Sequence, residues 1–363
     1  MALTQVQSGM LNSDSQNYGF KNRIINGACV IDQRNAGGSI SAGDGSYALD
    51  RWNMYHGSGS GSKGNIQQNQ GSVTPPAGFQ NYYGFTTTSA YAVGASDAYA
   101  IQQRVEGYNI SDLAWGTANA QAVTLSFWVR SSLTGTFGGA LVNGGANYSY
   151  PFSYTINSAN TWEYKTITIA GPTGGTWNVT NGVGIYAGFS IGTGSSGSGT
   201  AGSWSANRYW STTGATSVVA TLGATFYVTG IQLEKGTVAT QFDYRPYGTE
   251  LTLCQRYNIR YGSPFDTTAR FTASGYGGGG TTSGFNLQYP VVMRAAPTVT
   301  YSLGTGLSVN NGSAAYAASS LALNLGNTMS AQIAVTQSNS VTGSGISFYS
   351  GAADMYINLS AEL

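Results

Sequence analysis

The sequence predicts an all-β protein: a jelly-roll β-sandwich followed by a second, smaller β-sandwich-like domain, with a short N-terminal anchor. Three observations predict it. Charged residues make up 8% of the chain, against roughly 25% in an average soluble domain, so the strong helix formers Glu, Lys and Arg are scarce. Aromatic residues reach 12%, with 25 Tyr, and together with Val, Ile and Thr they fit a pleated, half-buried surface. The 52 Gly, with abundant Ser and Asn, supply tight turns. At 363 residues the chain exceeds one ordinary domain, and two are expected.

Taken in order, residues 1–22 form a lead-in whose Leu3, Val6, Met10 and Leu11 are spaced for one face of a short helix. Two readings stand for it: a frayed terminus, or an anchor that orders against a partner. Residues 23–248 carry strand-like runs at 23–31, 98–105, 122–130, 162–169, 182–189 and 224–233. The cleanest alternates Val123, Leu125, Phe127 and Val129 on one face. Strands with one apolar face, separated by long polar loops, suit a jelly roll. An immunoglobulin-like sandwich needs only about 100 residues, fewer than this region holds. The Gly/Ser runs 57–64, 192–202 and 275–284 read as flexible loops without chemistry. A helix is predicted over 249–257, capped by Thr249, with Leu253, Arg256 and Tyr257 at helical spacing. It opens the C-terminal β domain, residues 249–363. There the prolines of 290–297 interrupt pairing, and 331–335 and 355–359 read as late strands.

Composition also bounds function. A net charge of +1 with dispersed basic residues argues against nucleic acid and anionic membrane as partners. No apolar run approaches the ~20 residues of a membrane helix, and the first residues lack the basic start and apolar stretch of a secretion signal. Cys29 and Cys254 make neither a disulfide framework nor a zinc site, and buried free thiols are expected. The single histidine, His56, lacks a nucleophile motif to serve and reads as a surface residue. Asp97, Glu106, Asp112 and Glu163 lie on or near strands, but nothing pairs two of them across one glycosidic bond. No catalytic residue is assigned, and a non-enzymatic protein is expected. Asp32, Asp44, Asp50 and Asp97 read as solvated or turn residues, with no metal or cofactor predicted. A surface this poor in charge is expected to be covered by identical copies.

Sugar recognition needs aromatic faces for the apolar side of a pyranose and polar groups for its hydroxyls. Trp204, Arg208, Tyr209 and Trp210 cluster directly after the 192–202 run, and Tyr148 and Tyr150 sit beside Asn143 and Asn147. These six are the candidate glycan or receptor contacts, although aromatics serve equally at subunit interfaces. Tyr209 and Trp210 are adjacent, so in extended chain they face opposite ways.

Several stretches carry a resemblance. They are Asn22-Arg23-Ile24-Ile25-Asn26-Gly27, Ile31-Asp32-Gln33-Arg34, Tyr47-Ala48-Leu49-Asp50-Arg51-Trp52, Val228–Gly236 and Gln241–Pro246. Glu250-Leu251, Cys254–Tyr257, Pro290–Pro297 and the ending Leu359–Leu363 continue the pattern. Together they resemble tail, fibre and head-decoration proteins of tailed bacteriophages and prophages. The resemblance implies a virion structural protein with a carbohydrate-binding-like jelly roll, forming a homotrimer. It also implies residues 1–22 attached to other tail or capsid proteins, contact with host surface polysaccharide, and assembly in the host bacterial cytoplasm. Two other readings stay open: a carbohydrate-binding module of a bacterial surface or secreted protein, and a glycan-depolymerising tailspike.

Overall fold

The alternation at Val123, Leu125, Phe127 and Val129 becomes the inner face of a strand, each side chain at most 1% exposed. A computed structural model of the chain describes residues 20–57, 61–263, 272–303, 307–312, 314–339, 342–350 and 355–363. Leu3, Val6, Met10 and Leu11 lie outside them. The chain folds as two compact units: one takes the chain up to Val30, Ser39–Ala48 and Trp52–Arg245, the other Ile31–Gly38, Leu49–Arg51 and Pro246–Leu363.

The strands of the first unit are, in order, β1 (Ile40–Ser41), β2 (Tyr47–Leu49, whose last residue belongs to the second unit), β3 (Trp52–Gly57), β4 (Gly64–Gln68), β5 (Tyr83–Thr87), β6 (Ala98–Glu106) and β7 (Val123–Ser131). There follow β8 (Gly135–Asn143), β9 (Ser149–Ile156), β10 (Glu163–Ile169), β11 (Val183–Thr193), the short β12 (Ser198–Gly199) and β13 (Ser211–Thr212), and β14 (Thr225–Lys235). Two six-stranded antiparallel sheets result, ordered β1-β4-β5-β14-β7-β10 and β2-β3-β6-β11-β8-β9, the sandwich that the strand pattern predicts. Their inner faces meet through aromatic rings: Phe127 of the first sheet stands edge-on to Phe189 of the second at 4.8 Å and to Tyr154 at 5.0 Å. Each such fully buried ring contributes about 1.5–3 kcal/mol of transfer free energy.

The run beginning at Arg23 is a correction. It is not a strand but irregular chain in which Arg23, Ile24 and Cys29 are at most 1% exposed. Side-chain amides replace a strand ladder. Gln103 accepts from the Ile25 N–H and donates to the Ile25 carbonyl, at 2.8 and 2.7 Å. The Asn22 carboxamide oxygen accepts from Ile24 and Leu233, and its nitrogen donates to Ile231. Asn26 and Cys29 take left-handed backbone, φ 59° and 58°, which breaks extension. Arg23 forms a two-pronged ion pair with Asp112 at 2.7 and 2.9 Å.

The second unit opens with α1 (Tyr247–Gln255), then β15 (Asn258–Gly262), β16 (Thr272–Gly278), β17 (Thr282–Gln288), β18 (Thr298–Ser302), β19 (Leu307–Asn310), β20 (Ala315–Gly326), β21 (Ser330–Gln337), β22 (Thr342–Ser350) and β23 (Tyr356–Ser360). The expected β character is present, and its geometry is a closed barrel, β16-β17-β21-β20-β19-β22, with a three-stranded sheet β15-β23-β18. Phe285 and Phe348, 4.7 Å apart, fill the core with Val309, Ile333 and Val335. Two expectations are corrected here. The 275–284 run is no loop but the β16–β17 hairpin, where a Cβ on Gly275 would lie 2.0 Å from the Gly284 carbonyl oxygen. The helix starts before Thr249, which therefore does not cap it; no side chain does.

Asp50 lies in a turn, as expected, but is not solvated. It is fully buried, bonded to Arg34 at 3.0 Å and to the Gln33 amide at 2.7 Å, while Glu362 links Arg34 and Arg51. The Arg51 guanidinium lies 3.5 Å above the Tyr257 ring. Burial outweighs the pull of Arg34 and pushes the Asp50 carboxyl up to about 6. The other aspartates bond to nearby chain. Asp32 accepts from the backbone of Asn35 and Gly37, Asp97 from Tyr91 and Gly94, and Asp44 from His56.

Candidate functional site

The outer face of β7 carries Ser126, Trp128 and Arg130, opposite in parity to the core residues. Register sets Tyr164 of β10 beside Trp128 on one side and Thr229 of β14 on the other. The Trp128 and Tyr164 rings are 5.4 Å apart, and both retain exposed surface. They floor a groove of about 660 Å³ together with Ser126 and Gly230. The rest of the lining comes from two segments, Ala77 and Phe79 in one and Ala239, Thr240, Gln241, Phe242 and Tyr244 in the other. None of these residues is charged.

Local structure builds each part. Between Thr229 and Gln232 the β14 register slips, leaving Gly230 and Ile231 opposite Phe127, a β-bulge. Ile231 turns its N–H to Gly27 and its carbonyl to Asn22. Gly230 adopts φ 61°, and its missing Cβ makes room for Phe79, whose ring would otherwise stand 2.6 Å away. The 239–244 wall is held by β14 side chains. Glu234 accepts from the Thr240 N–H and hydroxyl at 2.8 and 2.6 Å, and Gln232 accepts from the Asp243 N–H at 2.8 Å. Phe242, Tyr244 and Phe79 close on one another with centroids 4.9–5.5 Å apart. The chain leading to Ala77 and Phe79 is fixed by the Trp162 indole donating to Thr74 at 2.9 Å and the Val73 N–H donating to the Tyr82 hydroxyl.

Next to Tyr164, Glu163 ties the turn before β10 through the N–H groups of Asn157 and Ser158 and the Lys165 ammonium. Burial alone raises its carboxyl, but those bonds outweigh it and hold the group down at about 2. Asp112 is committed to Arg23, as Glu163 is to its turn.

The six residues expected to contact glycan divide among three places. Trp204, Tyr148 and Tyr150 join Trp115 and Trp177 in a ring cluster: Trp204 is stacked on Tyr148 at 5.7 Å and meets the other three at 5.3–5.5 Å. Its indole N–H is taken by the Ala170 carbonyl at 2.7 Å. Tyr209 covers Gly199, where a Cβ would lie 2.4 Å from the ring. Trp210 is 3% exposed, so of the adjacent pair it is Tyr209 that faces outward. Arg208 lines a second cleft with Trp210 and His56. The 192–202 run is not a plain loop: β11 extends into it, and β12 pairs in parallel with β13. His56 is half-buried rather than on the surface, its ring edge-on to Tyr99 at 4.8 Å, and burial lowers its pKa. Cys29 and Cys254 are free and buried; burial pushes the Cys29 thiol up to about 12 and leaves it unreactive.

The groove residues Phe79, Trp128, Tyr164, Phe242 and Tyr244 were not singled out by the sequence pattern. The available signal was parity: Trp128 and Tyr164 stand on the polar side of alternating strands.

No protein-family model matches the chain, and no curated protein matches it. Among solved structures it is similar to the enzymatically active domain of bacteriophage CBA120 tailspike protein 4, with TM-score 0.31 and 11% identity. That match covers 54% of this chain and 21% of the tailspike chain. It is also similar to a CBM4 structure, with TM-score 0.28, 14% identity and coverage of 58% and 98%. A third is the family 11 carbohydrate-binding module from Clostridium thermocellum, in complex with a β-1,3-1,4-mixed-linked tetrasaccharide. There the TM-score is 0.27 and the identity 15%, over 54% of this chain and 95% of the module.

Proposed function

We propose that the first unit binds glycan in the sheet-face groove, and that the chain is a non-enzymatic, homotrimeric part of a tailed-phage particle that contacts host surface polysaccharide. The observation that carries the glycan reading is the groove itself: two partly exposed rings on a rigid sheet, between aromatic walls, with no charged lining residue. Such rings pack on the apolar face of a neutral pyranose, while the exposed Thr240 and Gln241 supply donors and acceptors for its hydroxyls. Gln232 and Glu234 fix one wall in advance, so little ordering is lost on binding.

The virion reading is supported by the sequence resemblance, whose first-unit pieces Asn22–Gly27 and Val228–Gly236 bond to each other at the bulge. Exposed Leu222 (67%) and Val238 (71%) suit a surface covered by further copies. Three grooves on one particle arm would add avidity to a weak single contact. Affinity electrophoresis through neutral polysaccharide gels should retard the wild type and release Trp128→Ala and Tyr164→Ala. Light scattering should give three times the 37.7 kDa chain mass. A monomer that ignores every gel contradicts both parts, and a trimer that dissociates on Trp128→Ala makes the groove an interface.

A further inference from the structure

The outer face of the other sheet in this unit is built of small side chains, and Trp210 lies on Ala98, Ala140 and Val142 there. Its ring is 4.4 Å from Tyr55 and edge-on to Tyr186 at 5.7 Å. Beside this stack opens a cleft of about 400 Å³, reached by Ser96, Ser196, His56 and Arg208. Its character is the reverse of the groove's. Arg208 is exposed, and among the described residues its guanidinium has no ion pair or hydrogen bond. Among the described residues no carboxylate lines the cleft. The acids nearest in sequence are engaged: Asp97 accepts from the Tyr91 hydroxyl and the Gly94 N–H, and Asp44 accepts from the His56 N–H. Two polar atoms of lining residues, Trp210 Nε1 and His56 Nε2, are buried without a hydrogen-bond partner in the chain.

A guanidinium fork matches a carboxylate with two parallel hydrogen bonds. Serine hydroxyls at the rim suit sugar hydroxyls, and the partly exposed Tyr55 ring, backed by the buried Trp210, offers ring surface for a pyranose. We infer that this cleft binds an acidic sugar, a uronic acid, with its carboxylate on Arg208 and its ring against Tyr55. It shares no residue with the groove, and neither site needs the other to bind.

The test titrates D-glucuronate, D-glucose and inorganic phosphate into the full chain, as wild type, Arg208→Ala, Arg208→Lys and Trp128→Ala. Glucuronate should bind the wild type at least tenfold more tightly than glucose or phosphate. Arg208→Ala should lose at least tenfold, and Arg208→Lys should fall between them, because an ammonium keeps the charge without the fork. Trp128→Ala should bind glucuronate as the wild type does, even if the groove proves not to hold glycan. Absence of glucuronate binding, or unchanged binding by Arg208→Ala, overturns the inference. Phosphate binding as tight as glucuronate also overturns it, by making the cleft a general anion site. Because Arg208 bonds to nothing, Arg208→Ala should melt with the wild type, and a variant that fails to fold contradicts the geometry.

Discussion

Trp204 and Trp128 lie in the same unit and have the same chemistry, yet they are used differently. Trp204 meets four rings and gives its indole N–H to a backbone carbonyl. Trp128 meets one ring, Tyr164, and turns toward a groove. The first set is a small core tying four loops to β9, with Trp115, Tyr150 and Trp177 all under 9% exposed. The second is a platform held by a sheet. Aromatics crowded near loops in sequence mark self-packing as readily as a ligand site, whereas a ring on the polar side of a central strand has no packing duty that explains it.

The contrast can be broken at either end. Trp204→Ala should cost about 2–4 kcal/mol in urea unfolding, since removing a large half-buried ring takes one shared contact from four others, and the folded fraction should keep its glycan affinity. Gly230→Ala should cost about 2 kcal/mol, from a left-handed backbone that disfavours Cβ and from displacement of Phe79. It should also weaken glycan binding, because the wall moves. Trp128→Ala should shift stability by less than about 1 kcal/mol while weakening binding about tenfold, equivalent to roughly 1.4 kcal/mol.

Protons should sharpen the comparison. The groove has no lining group that ionises near neutrality, so its binding should be flat between about pH 5 and pH 9. The second unit should respond to pH. The Asp50 carboxyl at about 6 lies above its ordinary 3.8, so the folded state holds the proton more tightly and stability should rise as pH falls from above 6 toward 4. Asp50→Asn should remove that slope in thermal melts. Glu163 has the opposite sign: held near 2 against an ordinary 4.5, it stabilises its turn above pH 4.5 and loses that contribution as pH falls toward 2.

Much of the architecture was legible. The period-two pattern at Val123–Val129 fixed a strand and its inner face, and the scarcity of helix formers matches a described chain with one α-helix. The segment after Arg23 was not legible, because its backbone is satisfied by Gln103 and Asn22 side chains from distant positions, which no local pattern encodes. The β16–β17 hairpin was hidden by glycines that read as a loop but serve close strand contact. Of the candidate sites, Arg208 and Trp210 were visible as a sequence cluster. The groove was not, since its parts come from residues 77–79, two strands and residues 239–244, and only the bulge at Gly230 brings them together.

The most direct measurement of the central claim uses the seven tryptophans as reporters. The chain is labelled with 5-fluorotryptophan, each resonance is assigned by substitution, and neutral hexasaccharides of glucose, mannose and galactose are added in turn. The account predicts that at least one sugar moves the Trp128 resonance saturably while those of Trp204 and Trp210 stay in place. Saturable movement of Trp204 with Trp128 unmoved would contradict it.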